Sequence, residues 1–312
     1  MSAQIAGVYA ALLTPRTPEG ALNCEALGAL VGLCEQSPVA GVVVNGATGE
    51  YCATSEAECE QLVRVCSTVL DGRKTILCGI GSASWSASVA LGRLALANGA
   101  GGLLLPPPHF FPYSQDDVLS YCGAVASQLP GPVLLYNLPR FTSEIEPSTA
   151  QTLLESMSNV VGVKDSSGSL DLLRALAVHP RRDVSRIVGD DRVLVEALTE
   201  QICNGAISGV CGVLPELITF LFQNHKCRTS PWYRKSECFL QELVDQLSRF
   251  PVPWGLKWIA GCRGLAPAYH AQPLSPHRLR QRAAFQEWFC HWWPAVQALL
   301  AAVPQTGGES FR

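Results

Sequence analysis

Short apolar stretches alternate with longer amphipathic stretches through the first two thirds of the chain. The apolar runs read, in order, GVYAALL, GVVVN, TILCGIG, GGLLLPP, PVLLYN, VVGVKD, SRIVGDD and AISGV. Stretches with helical spacing, such as SEAECEQLVRVCSTVL and SQDDVLSYCGAVASQL, separate them. Strands buried on both faces are continuously apolar, and strands that alternate with helices imply a parallel sheet.

Eight such units are the number found in a closed (β/α)8 TIM barrel, which is the α/β fold that the pattern predicts. An open doubly wound sheet is the alternative, and the lack of a G-x-G-x-x-G motif after any run counts against it. Beyond about Leu214 the sequence is helical to about Val303. We therefore expect the barrel over residues 1–214, the last barrel helix with a C-terminal helical appendage over residues 215–303, and a disordered tail over residues 304–312.

Composition narrows the classes of function that the chain can have. Of its 312 residues 48% are hydrophobic and 16% are charged, and the formal net charge is −3 without a block of like charges. Neither nucleic acid nor an anionic membrane is therefore expected as a partner. The apolar runs are too short to span a membrane, and the first residues lack the pattern of a signal peptide, which favours a cytoplasmic protein.

The thirteen cysteines are scattered and form no C-x-x-C pair. We expect them to be reduced and to pack as small apolar residues. No Cys/His pair has the spacing of zinc ligands, so no metal site is expected.

Chemically capable residues follow three of the apolar runs. The second run ends in NGATGE, a turn whose backbone N–H groups can hold a carboxylate or phosphate. The fifth run ends near Tyr136 and the sixth at Lys164, 28 residues later, which is one βα unit. Taken singly, the turn could be an ordinary one and the tyrosine could merely pack under a loop. Because active sites of such barrels lie at the C-terminal strand ends, we expect the three to meet there.

Lys164 follows Val160, Val161 and Val163, so we expect it to be partly desolvated. Desolvation disfavours the ammonium form and lowers the pKa of a lysine. A neutral amine can attack a ketone and form a Schiff base, whose protonated imine stabilises a carbanion on the neighbouring carbon. A tyrosine hydroxyl within reach can move the proton.

The segments GVVVNGATGE, LLYNLPRFT, VVGVKDSSGS, RIVGDD and NGAISGV occur in an order and spacing that resemble a known family. It is the dihydrodipicolinate synthase / N-acetylneuraminate lyase family of class I aldolases. The resemblance covers roughly residues 5–300 and implies a (β/α)8 barrel without a metal or cofactor. It also implies pyruvate or a similar 2-oxo acid bound as a Schiff base, an aldehyde as the second reactant, and usually a homotetramer.

The resemblance, together with one position at which the chain departs from it (Arg140), assigns roles to nine residues. Lys164 would form the imine and Tyr136 would transfer the proton. The residues that would bind substrate are Ala47 and Thr48 at the carboxylate, Ile207 through its backbone, Gly189, Asp191 and Ser208 at sugar hydroxyls, and Arg140 at a distal carboxylate or phosphate. Asp190 and Asp191 could equally cap a helix.

Several positions depart from the pattern of the dihydrodipicolinate synthases. Ala47 stands where Ser or Thr is common in the family. Phe110 stands where those enzymes use a tyrosine of the neighbouring subunit, and phenylalanine cannot relay a proton. Phe141 stands where they have an arginine, with Arg140 one residue earlier, which could equally be an exposed arginine of the loop. The changes at Phe110 and Phe141 argue against a dihydrodipicolinate synthase proper, and Asp191 and Ser208 favour a hydroxylated substrate such as a 2-keto-3-deoxy sugar acid.

Several functions stay open on the sequence. The favoured one is a pyruvate-dependent aldolase or lyase acting on a 2-keto-3-deoxy sugar acid. Alternatives are a dehydratase of 2-keto-3-deoxy acids that uses the same Schiff base, a 4-hydroxy-tetrahydrodipicolinate synthase, and a non-catalytic relative that binds a keto acid.

Outside these motifs we expect structural roles. Trp288, Trp292 and Trp293 are expected to pack in the core or between subunits. His109 is expected to pack or to line the site beside the pocket loop. Lys257 is expected to extend its side chain from a helix so that the ammonium reaches solvent.

Overall fold

The computed structural model describes residues 4–270 and 272–303, and its centre is a closed barrel of eight parallel strands in sequence order. The strands are β1 Gly7–Ala11, β2 Gly41–Val44, β3 Thr75–Gly79, β4 Gly102–Leu105, β5 Val133–Asn137, β6 Val160–Asp165, β7 Ser185–Val188 and β8 Gly205–Ser208. β8 pairs with β1 and so closes the sheet. The predicted (β/α)8 barrel is confirmed, and the open sheet is excluded.

Helices follow the strands and cover the outside of the barrel. They are α1 Cys24–Glu35, α2 Glu56–Leu70, α3 Trp85–Ala97, α4 Gln115–Ala126, α5 Pro147–Ser156, α6 Asp171–Ala177, α7 Leu194–Glu200 and α8 Pro215–Gln223. Local signals in the sequence fix several of their starts. Ser55 and Glu58 form a capping box at α2, and α5 and α8 begin with proline, whose missing N–H costs nothing in the first turn.

Two apolar cores lie on the two sides of the sheet. The inner core contains Leu77, Leu104, Leu134 and Ile187, and Tyr136 closes it at the mouth of the barrel. The larger outer core lies between the strands and the helices. Because successive side chains of a strand point to opposite faces, Leu134 and Tyr136 of β5 both point inward. A register shift interrupts this alternation in β6, and beyond it Lys164 faces the cavity.

Three further helices pack at the C-terminal end: α9 Pro231–Leu247, α10 Trp254–Cys262 and α11 Pro276–Ala302. Aromatic rings join α9 to α11, since Phe239 meets Trp292 edge-on with ring centroids 5.9 Å apart, and within α11 Trp288 stacks on Trp292 with centroids 5.2 Å apart. Trp292 and Trp293 are buried, and the Trp292 indole N–H donates to Glu242. The packing predicted for these tryptophans is confirmed. The tail predicted over residues 304–312 lies outside the described residues.

Of the structural roles expected for His109 and Lys257, the first is confirmed and the second is not. His109 packs edge-on against the ring of Tyr51, with centroids 5.7 Å apart, as expected. Lys257 does not snorkel to solvent, and that prediction is wrong. Its side chain is 5% exposed and its Nζ lies 2.6 Å from Glu50 Oε2, because a buried ammonium requires a counter-charge.

Among the helices in the described ranges, none combines the length and the apolar character that a membrane crossing requires.

Candidate active site

A cavity of about 210 Å³ opens at the C-terminal ends of the strands and is the candidate active site. Eight of the nine residues predicted from the sequence line it: Ala47, Thr48, Tyr136, Arg140, Lys164, Gly189, Asp191 and Ile207. The ninth, Ser208, is buried just behind the wall, where its hydroxyl accepts a hydrogen bond from the Cys211 N–H at 3.0 Å. The structure thus brings residues from five strand ends to one place.

Lys164 and Tyr136 form the centre of this cavity. They are paired neighbours in the ladder between β6 and β5, as their spacing predicts. The Lys164 Nζ lies 4.0 Å from the centroid of the Tyr136 ring. Both side chains are almost fully buried, so the amine faces an aromatic surface and has little contact with water.

Burial shifts the pKa of both groups. It lowers the pKa of Lys164 to about 7, and the charge of Asp191 opposes that shift. It raises the pKa of Tyr136 to about 12. Near neutral pH the lysine is therefore available as a free amine beside a protonated phenol.

Gly189 gives the lysine the space that it needs. A Cβ atom built on this glycine would lie 2.8 Å from Lys164 Cε and 2.1 Å from Ser166 Oγ. Either contact would force the neighbour to move. The backbone of Gly189 thus approaches the side chain of Lys164 more closely than a residue with a Cβ atom could.

The turn of residues 45–50 forms the opposite wall. It begins and ends in the left-handed region, with φ of 53° at Asn45 and 57° at Glu50. The Asn45 amide donates to Gly79 O at 2.8 Å, and the Thr14 hydroxyl donates to Gly49 O at 2.7 Å. Within residues 4–270 and 272–303, the N–H groups of Ala47 and Thr48 donate to no protein acceptor. They are available to a carboxylate ligand.

Acidic residues follow β7 at the edge of the cavity. Burial raises the pKa of Asp191 to about 6, while the Ser208 hydroxyl and the Val210 N–H favour its charged form. Asp190 accepts from the Arg192 N–H at 3.0 Å and so caps the short 3-10 helix Asp191–Val193, as one reading of the sequence predicted. The guanidinium of Arg192 also pairs with Asp190.

Arg140 lies on the loop after β5. Asn137 anchors that loop, since its amide donates to Asp165 Oδ1 and its carbonyl accepts from the Ile145 N–H, both at 2.9 Å. In the part of the chain that the structure describes, Arg140 makes no ion pair. Phe110 lies outside the cavity on the loop after β4, where it is 83% exposed at a φ of 89°.

Sequence reasoning missed three groups of cavity residues. Ser166 lines the cavity, 8% exposed, with a hydroxyl that has no hydrogen-bond partner among the described residues. Ser166 lies two residues after Lys164, and side chains at this spacing in a strand point to the same face of the sheet, so the sequence could have indicated that Ser166 lines the cavity. Arg192 was missed because it lies directly after the motif RIVGDD and is not part of it. The third group comes from α9, α10 and the segment between these two helices: Val244, Leu247, Ser248, Phe250, Pro251, Val252, Pro253, Gly255 and Leu256.

Comparison with known proteins agrees with this architecture. The model of the dihydrodipicolinate synthetase family matches residues 4–290. A 4-hydroxy-tetrahydrodipicolinate synthase of Sorangium cellulosum is 32% identical over 274 residues, which cover 87% of this chain and 91% of the relative.

Solved structures show the same fold. The 4-hydroxy-tetrahydrodipicolinate synthase of Methylacidiphilum fumariolicum SolV superposes with a TM-score of 0.86 at 26% identity, over 95% of this chain and 99% of that one. A prophage protein of the dihydrodipicolinic acid synthase family from E. coli K12, in complex with pyruvate, gives a TM-score of 0.84 at 23% identity, over 93% and 99%.

The match extends over almost the whole barrel and the C-terminal helices, and it confirms the family resemblance carried by the motifs at the strand ends. The chain therefore belongs to the dihydrodipicolinate synthetase family of pyruvate-dependent lyases and aldolases, and it is an enzyme of that class.

Proposed function

We propose that the protein is a class I aldolase in which Lys164 forms a Schiff base with pyruvate or another 2-oxo acid. The substrate would be a 2-keto-3-deoxy sugar acid, cleaved to pyruvate and an aldehyde or formed from them. The observation that carries this proposal is the buried Lys164, whose pKa is lowered to about 7 and whose Nζ lies 4.0 Å from the Tyr136 ring. An amine that is largely neutral at physiological pH is what carbonyl attack requires.

The reaction begins when the Lys164 amine attacks the ketone carbon and water leaves. The protonated imine then withdraws electrons as the bond between carbons 3 and 4 of the substrate breaks. We assign the proton transfers to Tyr136: its phenol gives a proton to the hydroxyl that leaves as water, the resulting phenolate takes the proton from the hydroxyl on carbon 4, which becomes the aldehyde, and Tyr136 then returns that proton to carbon 3 of the enamine. Hydrolysis of the imine releases pyruvate and regenerates the lysine.

The substrate carboxylate would lie at the turn opposite the lysine. The N–H groups of Ala47 and Thr48 and the Thr48 hydroxyl supply donors, so the missing hydroxyl at residue 47 leaves the subsite usable. The backbone of Ile207 completes that side of the pocket. Backbone donors of this kind hold an anion without a charged side chain.

The remaining cavity favours a short, hydroxylated substrate. Its volume of about 210 Å³ is below the about 300–1,000 Å³ usual for sites that take drug-sized ligands. Asp191 can accept hydrogen bonds from hydroxyl groups, with Ser208 behind it and Gly189 beside it. Arg140, which has no ion-pair partner among the described residues, would face a distal carboxylate or phosphate.

A second candidate is a 4-hydroxy-tetrahydrodipicolinate synthase, which is the name of the Sorangium cellulosum relative. Against it, Phe110 and Phe141 stand where the resemblance requires a tyrosine and an arginine.

Dehydration of a 2-keto-3-deoxy acid through the same imine would use the same residues and differs only in its product.

The test is chemical trapping followed by a substrate screen. Borohydride with pyruvate should reduce the imine and label Lys164 irreversibly, and the Lys164→Met variant should remain unlabelled. Release of pyruvate would then be measured with 2-keto-3-deoxy sugar acids, phosphorylated and not, and with 4-hydroxy-2-oxoglutarate. Absence of an adduct would refute the proposal, while rapid consumption of aspartate semialdehyde would establish the second candidate.

We further propose that the protein forms a homo-oligomer, a dimer or a tetramer. Three phenylalanine side chains are largely exposed: Phe110 by 83%, Phe111 by 61% and Phe141 by 50%. Apolar surface of this kind favours association between subunits. Light scattering in solution tests this directly, and a monomer at micromolar concentration would refute it.

A further inference from the structure

An ion pair connects the C-terminal helices to the turn that faces Lys164. The Nζ of Lys257, on α10, lies 2.6 Å from Glu50 Oε2, and the two side chains are 5% and 20% exposed. The partners are 207 residues apart in sequence. The contact is thus a long-range link between two parts of the cavity wall.

Glu50 is built into the turn of residues 45–50. Its N–H donates to Ala47 O at 3.1 Å, and its left-handed φ of 57° fixes the direction of the chain as it leaves the turn. A side chain held at Glu50 therefore also restrains the backbone of Ala47 and Thr48. Their N–H groups are the donors assigned above to the substrate carboxylate.

The start of α10 and the turn also come together around Gly209. A Cβ atom built on Gly209 would lie 3.0 Å from Thr48 Oγ1 and 3.1 Å from Leu256 Cδ1, so these three residues meet at one point. Leu256 precedes Lys257 and lines the cavity. Among the described residues, Lys257–Glu50 is the one hydrogen-bonded ion pair between α10 and this turn.

Stability alone does not explain this ion pair. Replacement of a buried ion pair by well-packed apolar residues is often neutral or stabilising, because the desolvation of two charges offsets their attraction. What such a pair provides and an apolar contact does not is a fixed direction and distance. A turn that must present N–H groups to a ligand needs that restraint.

We propose that Lys257 is a positioning residue for the carboxylate subsite and acts through Glu50. The inference rests on the proposed function, since it assumes that Ala47 and Thr48 bind the carboxylate of the 2-oxo acid. Lys257 does not line the cavity and touches no reacting atom. Its effect should therefore fall on the binding of the 2-oxo acid and leave the amine of Lys164 intact.

The experiment removes both charges, so that no unpaired ion stays buried. The double variant Glu50→Gln/Lys257→Met is compared with the wild type and with Glu216→Gln/Arg263→Met. The control removes a second ion pair, with 2.6 Å between Arg263, which directly follows α10, and Glu216 on α8, and neither of these residues lines the cavity. Pyruvate-dependent borohydride labelling gives the apparent affinity and the maximum rate, and amide hydrogen exchange reports the mobility of residues 45–51.

The pair variant should need about tenfold to hundredfold more pyruvate for half-maximal labelling, a range typical of small displacements in a site. Its rate at saturating pyruvate should stay within about twofold of the wild type, and exchange should accelerate in residues 45–51. The control should show neither change. Unchanged affinity and unchanged exchange in the pair variant would overturn the inference while the labelling of wild-type Lys164 still supports the proposed function. No labelling of the wild type would overturn both.

Discussion

Replacement of the buried Lys164 by methionine should stabilise the protein while it abolishes imine formation. The lysine pKa falls from 10.5 to about 7 on folding, and desolvation is the main cause. At 1.36 kcal/mol for each pKa unit, the charged amine costs the folded state about 4 kcal/mol at pH 7. Loss of the contact with the Tyr136 ring offsets about 1 kcal/mol. The net expected gain is about 3 kcal/mol.

The stability that Lys164→Met gains over the wild type should decrease as the pH rises. Because the folded-state pKa lies below the unfolded-state value, the unfolded chain binds more protons between pH 7 and pH 10.5. Wild-type stability should therefore rise with pH through that window relative to the variant. The advantage of Lys164→Met should be largest at or below pH 7 and should disappear as pH approaches 10.5.

Urea unfolding at pH 6, 7, 8, 9 and 10 measures this difference, with free energies from linear extrapolation. Lys235→Met is the matched control, since the ammonium of Lys235 lies 4.6 Å from the Phe239 ring on an exposed helix position. It should change stability little and equally at every pH. If the wild type and Lys164→Met differ by a constant amount from pH 6 to pH 10, the lysine is not desolvated and the argument fails.

Four further predictions concern the same cavity. The rate of pyruvate-dependent borohydride labelling should rise with pH through about 7, because only the neutral amine of Lys164 attacks the ketone. Asp191→Asn should move that profile to lower pH, since the Asp191 charge raises the lysine pKa, and a profile that does not move would contradict the coupling. Gly189→Ala should lower kcat/KM by about 10²-fold through displacement of the lysine, whereas Gly28→Ala, with open space around its Cβ, should not. Tyr136→Phe should still form the adduct but lose about 10²–10⁴-fold in turnover, which steady-state kinetics would reveal.

The barrel was predictable because its strands are buried on both faces and therefore stand out as continuous apolar runs. The pairing of Tyr136 with Lys164 followed from their spacing of one βα unit, and the ladder confirms it. Local patterns sufficed for these features, since each strand lies next to its sequence neighbour in the sheet.

The rest of the site depends on contacts between distant segments. Nothing local in PWGLKWIAG indicates that Lys257 finds a carboxylate 207 residues earlier, although a single lysine in an apolar stretch was a signal that could have been used. The cavity wall from α9 and α10 could not be predicted either. Which face of a C-terminal helix meets the barrel mouth is decided by packing against the whole barrel, which a periodic pattern does not encode.

The position of the lysine along β6 is restricted by the barrel itself. Two residues earlier, at Gly162, an added Cβ atom would lie 2.0 Å from the backbone oxygen of Ser185 on the neighbouring strand β7, so residue 162 has no room for a side chain. Two residues later, at Ser166, the strand has ended, and no tyrosine of β5 is paired with it. Residue 164 is therefore the level at which a long side chain is enclosed enough to lose its proton and still reaches the cavity. The same enclosure that lowers its pKa also destabilises the fold, which is why the stability of Lys164→Met and the reactivity of the wild-type amine should change together with pH.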